Sequence, residues 1–191
     1  YERDVIRRHV LGRFEDMVLA SARHPAMLLY LDNFLSIGPG SPAARLGPQR
    51  QGARRGLNEN YARELLELHT LGVDGGYTQE DVIELARALT GWTLSGMRGP
   101  AAAARRRRLA SQQPQQQADG SVGFVFQELL HEPGARTLLG RRYPQSGAAQ
   151  AEAMIRDLCR SPATARFVAT KLVTHFVADE PPASAVDRVA G

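Results

Sequence analysis

Polar side chains that could do chemistry are concentrated in the segment 56–92, GLNENYARELLELHTLGVDGGYTQEDVIELARALTGW. On a helical wheel of about 100° per residue, Asn60, Glu64 and Glu67 fall within about 60° of one another. Glu64 borders the apolar face of this helix, and His69 borders the same face from its other side. A carboxylate at such an edge either pairs with a basic group, for which Arg87 on the next helix is available, or binds a ligand.

An amphipathic helix accounts for many of the other polar residues. The wheel places an apolar stripe against the core and a polar stripe, with two i, i+4 ion pairs, in solvent. The apolar residues are Leu57, Tyr61, Leu65 and Leu68, with Leu71 at the edge, and the opposite residues are Glu59, Arg63, Glu67 and Thr70. Four polar residues have no evident structural role in this pattern: Asn58, Asn60, Glu64 and His69.

The residues that follow this helix carry signals for a turn and a second helix. Gly72 is placed to end the first helix, and the sequence VDGG is typical of a turn. Thr78 predicts the N-cap of the second helix, with Asp81 as its capping-box partner. Gly91 is placed to end that helix before Trp92.

An enzyme is one interpretation of these residues. Catalytic roles would fall to Glu64, His69 and His131, in a metal-assisted hydrolase or oxidoreductase. A divalent metal would be bound by Asn60, Glu64, Glu67, His131 and Glu132. Carboxylates favour a hard cation, and added imidazoles favour zinc, iron or manganese. No HExxH spacing is present, and the alternative for His131 is a loop histidine in a hairpin turn.

Composition excludes several other classes of protein. The formal net charge of +4 comes from the run Arg105–Arg108, without which basic and acidic residues are equal in number. We therefore expect no nucleic-acid binding, which needs basic groups spread over one face. Cys159 is the only cysteine, so neither an intrachain disulfide nor a thiolate metal cluster can form. No stretch is apolar for long enough to cross a membrane.

The pattern along the chain predicts a mainly α fold. We expect one helical domain over residues 1–191. We also expect it to be a fragment of a longer protein, because the chain starts at Tyr1 rather than at a methionine and stops at Gly191 within the segment AVDRVAG. Two disordered loops are expected, a Gly/Pro-rich loop at 38–56 and a low-complexity basic insertion at 95–120. Val122–Gln127 alternates like a strand, and RTLLGRRY is its expected partner in a small β-hairpin.

The last third of the chain is predicted to be helical. After a helix at Ala148–Arg160, Ser161 is placed as an N-cap and Pro162 at the first turn of the next helix. Val168, Leu172 and Phe176 recur there at i, i+4 and i+8, which is the spacing of one helix face.

The segment LNENYARELLELHTLGVDGGYTQEDVIELARALTGW resembles the signature of a bacterial family, domain of unknown function 1800. The resemblance extends to RHPAMLLYLDN, to FVF followed by HEPGARTLLG, and to PATARFVATKL with FVADEPP. Two positions depart from the usual pattern: Ser161 stands where a histidine is common, and Glu132 replaces an aspartate. The first departure argues against an essential role for position 161, and the second keeps a carboxylate beside His131.

The resemblance implies a largely helical body. It also implies an exported, periplasmic location beside a phosphatase- or sulfatase-like protein from a neighbouring gene family. Two functions follow as expectations: a metal-assisted enzyme that acts with this exported partner, or a non-enzymatic scaffold that binds it. An enzyme predicts that Glu64, His69 and His131 converge in one pocket. A scaffold predicts that they scatter or are sealed by internal contacts.

Overall fold

The computed structural model describes residues 1–46, 56–96 and 122–191. The mainly α fold is confirmed. The α-helices of the described residues are α1 (Arg7–His9), α2 (Phe14–Arg23), α3 (Pro25–Tyr30), α4 (Pro42–Leu46), α5 (Asn60–Glu64), α6 (Gln79–Leu89), α7 (Ala148–Cys159), α8 (Pro162–Phe176) and α9 (Ala183–Ala190). In the described ranges, no helix is both long enough and apolar enough to cross a membrane.

The described residues also form four shorter helical turns. Glu2–Ile6 and Leu65–His69 are π-helical, and Asn33–Leu35 and Glu128–Leu130 are 3₁₀ turns. The second π-helical turn continues α5 directly, so Asn60 to His69 form one helical rod with a change of pitch after Glu64.

In the part of the chain that the structure describes, four three-residue strands form two separate antiparallel pairs. β1 (Trp92–Leu94) pairs with β2 (Phe124–Phe126), and β3 (Arg136–Leu138) pairs with β4 (Arg141–Tyr143). The predicted pairing of Val122–Gln127 with RTLLGRRY is therefore wrong. RTLLGRRY forms a hairpin on its own, because Leu139 and Gly140 adopt positive φ and close a two-residue turn.

The predicted loop at 38–56 is partly helical. Its residues 42–46 form α4, which begins at Pro42, and the Ser41 hydroxyl accepts a hydrogen bond from the Ala44 N–H at 3.3 Å. Proline at the first helical position and a serine before it favour a helix start, a signal that the Gly/Pro-rich composition obscured. Residues 47–55, and residues 97–120 of the predicted insertion, lie outside the described part of the chain.

The helical rod that carries the candidate residues packs differently from the predicted wheel. Leu68 was expected on the apolar face but is 59 % exposed, whereas Leu66 is fully buried. Thr70 was expected in solvent and is fully buried, with its hydroxyl donating to the Leu65 carbonyl at 2.7 Å. A wheel of about 100° per residue holds only for an α-helix, and the wider π turn rotates every residue after Glu64.

The described apolar residues pack in two clusters. The main cluster takes side chains from α2, α3, α5, α6 and α7 and from the strands, with Trp92 and Tyr61 fully buried in it. The second cluster is small: Ala169 and Val173 of α8 pack against Val186 of α9. That both clusters belong to one domain stays a prediction.

Candidate functional site

Glu64 and His69 lie at the two ends of one π-helical turn. Both are half-buried, and within the described ranges neither side chain is hydrogen-bonded to another residue. Burial lowers the pKa of His69, while the Glu64 carboxylate opposes this by raising it, and the net pKa lies below the ordinary value for histidine. The imidazole is therefore neutral at neutral pH, the form that can accept a proton.

Glu67 lies on the same helical turn but is occupied by structural contacts. Its carboxylate accepts a hydrogen bond from the Tyr77 hydroxyl at 2.7 Å and lies 3.5 Å from the Arg63 guanidinium. Burial and this hydrogen bond raise the pKa of Tyr77 to about 12. The predicted i, i+4 pairs of Arg63 with Glu67 and, at 3.7 Å, with Glu59 are confirmed.

Asn60 begins α5 and is exposed. Its backbone N–H donates to the side-chain oxygen of Asn58 at 2.9 Å, while the Asn58 amide donates to the Leu31 carbonyl at 2.8 Å. Asn58 therefore has the structural role that sequence reasoning did not find. This role depends on a contact with Leu31, which lies 27 residues earlier, so the sequence around Asn58 could not predict it.

His131 is buried where α6 ends. Its side chain is 4 % exposed, and Nδ1 lies 2.9 Å from the Thr90 carbonyl oxygen, to which it donates. The ring of Phe126 meets the imidazole edge-on, with 5.3 Å between the ring centroids. These contacts fill the surroundings of the imidazole with protein atoms and anchor the turn Glu128–Leu130 to the end of α6.

Glu132 connects the segment around Gly38 to the C-terminal end of α6. Its backbone N–H donates to the Thr90 hydroxyl at 2.8 Å, and its carboxylate accepts a hydrogen bond from the Gly40 N–H at 2.6 Å. A Cβ at Gly38 would lie 2.6 Å from atoms of Glu132, so only glycine fits this close approach.

Four of the six candidate residues therefore fall into two pairs with different surroundings. Glu64 and His69 lie at the two ends of the π turn, where the Glu64 charge raises the pKa of His69, whereas His131 and Glu132 both contact Thr90. Among the residues that the structure describes, no three His, Cys, Asp or Glu side chains are grouped so that they could hold a metal ion. Metal binding by Asn60, Glu64, Glu67, His131 and Glu132 stays a prediction. The alternative partner for Glu64 is wrong, because Arg87 pairs with Glu84 and Glu80.

An exposed apolar stripe on α8 is a second candidate site. It consists of Val168, Leu172 and Phe176; Val168 is half-buried, Leu172 is 45 % exposed and Phe176 is 76 % exposed. The residues of α8 that face α9 are instead Ala169 and Val173, one position further along. Both sets of residues have the spacing of a helix face. The sequence alone could not predict which of the two faces is buried against α9.

The other side of α8 is fixed to the body of the protein. The Phe167 ring lies against Gly72, where an added Cβ would be 2.6 Å from the ring. The Thr164 hydroxyl donates to the Leu158 carbonyl at 2.6 Å, and the Ser161 side chain caps the helix by accepting from the Ala163 N–H at 3.3 Å. The predicted N-cap at Ser161 is confirmed.

A family model described as "Protein of unknown function (DUF1800)" matches residues 1–191. The chain belongs to this family. The resemblance carried by the segment 57–92 is thereby confirmed over the whole sequence. Neither a curated protein nor a solved structure matches this DUF1800 chain.

Proposed function

We propose that this DUF1800 chain is a partner-binding helical module, and that the stripe Val168, Leu172 and Phe176 is its contact surface. The proposed partner is the exported phosphatase- or sulfatase-like protein that the family resemblance implies. One observation carries the proposal: a helix already packed on two sides keeps Leu172 and Phe176 in solvent at i, i+4 spacing. Large exposed apolar residues grouped on one face mark protein interaction sites.

The geometry of the stripe fits a helix of the partner. Apolar residues at i, i+4 and i+8 form the ridge that packs into the groove of a second helix. Lys171 borders the stripe, with its ammonium group 5.3 Å from the Phe167 ring centroid and no ion pair to any described residue. We therefore expect the partner helix to carry an acidic residue beside its own apolar stripe.

The positions of Glu64, His69 and His131 favour the hypothesis of a partner-binding scaffold over that of a metal-assisted enzyme. An enzyme required Glu64, His69 and His131 to share a pocket. His131 is instead buried against Thr90 and Phe126.

A second candidate function rests on Glu64 and His69 alone. A neutral imidazole beside a carboxylate, with neither side chain hydrogen-bonded to a described residue, is an arrangement that can act as a general base. The function would be hydrolytic proton transfer at the π turn, without His131. Single substitutions Glu64→Gln and His69→Gln test it, because both would abolish a hydrolytic activity of the full-length protein while leaving partner binding intact.

Hydroxyl-radical footprinting of the full-length protein tests the proposed surface. We expect Phe176 and Leu172 to be labelled in the free protein and protected when the partner is added. The buried Val173 provides the internal reference for a protected residue of the same helix. If Phe176 is already protected without the partner, the protein's own chain covers the stripe and the proposal fails.

A further inference from the structure

Three arginines surround one buried carboxylate where the start of α2 meets the end of α7. Arg160 binds both oxygens of Glu15, with Nε 2.9 Å from Oε2 and Nη2 3.4 Å from Oε1. Arg13 approaches Oε1 at 2.7 Å and Arg156 approaches it at 3.6 Å. Asp16 is the second carboxylate near the cluster, 4.0 Å from the Arg156 guanidinium.

The carboxylate and the arginines differ sharply in exposure. The Glu15 side chain is 8 % exposed, whereas those of Arg13, Arg156 and Arg160 are 69 %, 41 % and 58 % exposed. The hydrogen bond from Arg160 lowers the pKa of Glu15, although burial opposes it, and the charges of the other two arginines lower it further. Glu15 is therefore an ionised centre beneath three guanidinium groups that reach into solvent.

We infer that Arg13, Arg156 and Arg160 form a binding site for a tetrahedral oxyanion, namely a phosphate or sulfate group. The site uses residues other than those of the proposed partner surface, so each can fail without the other. Glu15 would act as a positioning residue that holds the three side chains together and does not touch the anion.

The charge balance supports this site. Arg160 alone already supplies a hydrogen-bond donor to each oxygen of Glu15, so Arg13 and Arg156 are not needed to satisfy the buried carboxylate. Three guanidinium groups against Glu15 and Asp16 leave a positive excess. Each guanidinium carries five N–H donors in a planar fork that matches phosphate and sulfate oxygens. The three arginine side chains are 41–69 % exposed, so a solvent anion can reach them.

Isothermal titration calorimetry of the full-length protein with inorganic phosphate, and separately with inorganic sulfate, tests the inference. Ionic strength is held constant with chloride, so that general screening does not change. We expect saturable binding of either anion and roughly tenfold weaker binding in Arg13→Gln and in Arg156→Gln, because each loses a charged hydrogen bond. Arg166→Gln is the matched control, since Arg166 is 61 % exposed and pairs with Asp187 elsewhere.

The variant Glu15→Gln distinguishes anion binding by three arginines that Glu15 holds in place from nonspecific attraction of anions to a positively charged surface. General electrostatics predicts that removal of a negative charge tightens anion binding. The proposed site predicts weaker binding, because the arginines lose the group that gathers them; thermal unfolding checks that the variant is folded. Equal binding by wild type, Arg13→Gln and Arg156→Gln, binding no tighter than that of chloride, or tighter binding by a folded Glu15→Gln would each overturn the inference.

Discussion

The Asp81 carboxylate accepts a 2.7 Å hydrogen bond from the backbone N–H of Leu139, which lies 58 residues further along the chain. Its other oxygen accepts hydrogen bonds from the N–H and the hydroxyl of Thr78, at 2.8 and 2.7 Å, and so completes the capping box of α6. One side chain thus starts the helix and holds the tip of the hairpin β3–β4 against it.

Asp81→Asn is expected to destabilise the fold by about 1–2 kcal/mol. An amide has one acceptor oxygen where the carboxylate has two, so either Thr78 or Leu139 loses its partner. Urea denaturation at pH 7 measures the free energy of unfolding, with Glu80→Gln as the control because Glu80 is exposed and lies beside Asp81 on the same helix. Equal stability of the two variants would show that the second carboxylate oxygen of Asp81 contributes nothing.

The cost of Asp81→Asn should depend on pH. Burial raises the pKa of Asp81, but the hydrogen bonds from Leu139 and Thr78 outweigh it, and the net pKa lies below the ordinary value. A lowered pKa contributes stability above the unfolded-state value of about 3.9, and this contribution is lost as the pH falls through the folded-state value. The difference between wild type and Asp81→Asn should therefore shrink below about pH 4.

Leu139→Asn is expected to stabilise the protein by roughly 0.5–1 kcal/mol. Leu139 has a φ of 50° and Gly140 a φ of 75°, the signs that a two-residue hairpin turn of type I′ requires. A leucine adopts this conformation at a cost that asparagine largely avoids. Thermal unfolding measures the gain, and Gly140→Ala, which adds a Cβ at positive φ, should have the opposite sign. A lower melting temperature for Leu139→Asn would contradict the strain argument.

The sequence correctly predicted those parts of the fold that depend on contacts between residues close together in the chain. Thr78 with Asp81, and Ser161 with Pro162, lie within three residues of each other, so their helix starts follow from the pattern alone. The pairing of β1 with β2 joins residues 30 or more positions apart. RTLLGRRY was an equally good candidate for pairing with the same strand, so the sequence pattern could not decide between them.

The candidate site shows the same limit. The sequence placed Glu64 and His69 on one helix but on opposite sides of its apolar face. The effect of the Glu64 charge on His69 depends on a π turn that the sequence pattern did not predict. The surroundings of His131 are set by Thr90, 41 residues away. Burial of a lone histidine depends on such contacts, which spacing along the chain does not record.

Thr90→Val should cost about 1–3 kcal/mol. The buried Thr90 hydroxyl donates to the Arg87 carbonyl at 2.5 Å and accepts from the Glu132 N–H at 2.8 Å, so valine keeps the shape and leaves that N–H without its acceptor. Thr93→Val is the control, because the Thr93 hydroxyl makes one bond, as a donor to the Phe34 carbonyl at 3.1 Å. Urea denaturation should show the larger loss for Thr90→Val, and the reverse order would contradict the proposed anchoring role.

NMR titration of His69 tests the interaction across the π turn. Burial is the larger influence and lowers the pKa, so protonation of His69 opposes folding and stability falls as the pH drops below about 6.5. Glu64→Gln removes the charge that raises this pKa, so the midpoint of His69 should move to still lower pH. Glu67→Gln is the control and should leave the midpoint in place, since Glu67 is engaged with Tyr77. An unchanged midpoint in Glu64→Gln would show that the two side chains do not interact.

Binding of the partner through α8 is the central claim, and a matched pair of substitutions tests it. Phe176→Asp places a charge on the stripe of Val168, Leu172 and Phe176. Thr174→Asp places the same charge on the same exposed helix, on the side away from the stripe.

The decisive measurement is calorimetric titration of the full-length protein with the proposed partner, a purified phosphatase- or sulfatase-like protein. We expect Phe176→Asp to weaken binding about 30-fold or more, as loss of an interface aromatic typically costs 2 kcal/mol or more, and Thr174→Asp to bind as wild type does. Equal affinity of wild type and Phe176→Asp, or no binding by the wild-type protein, would contradict the account.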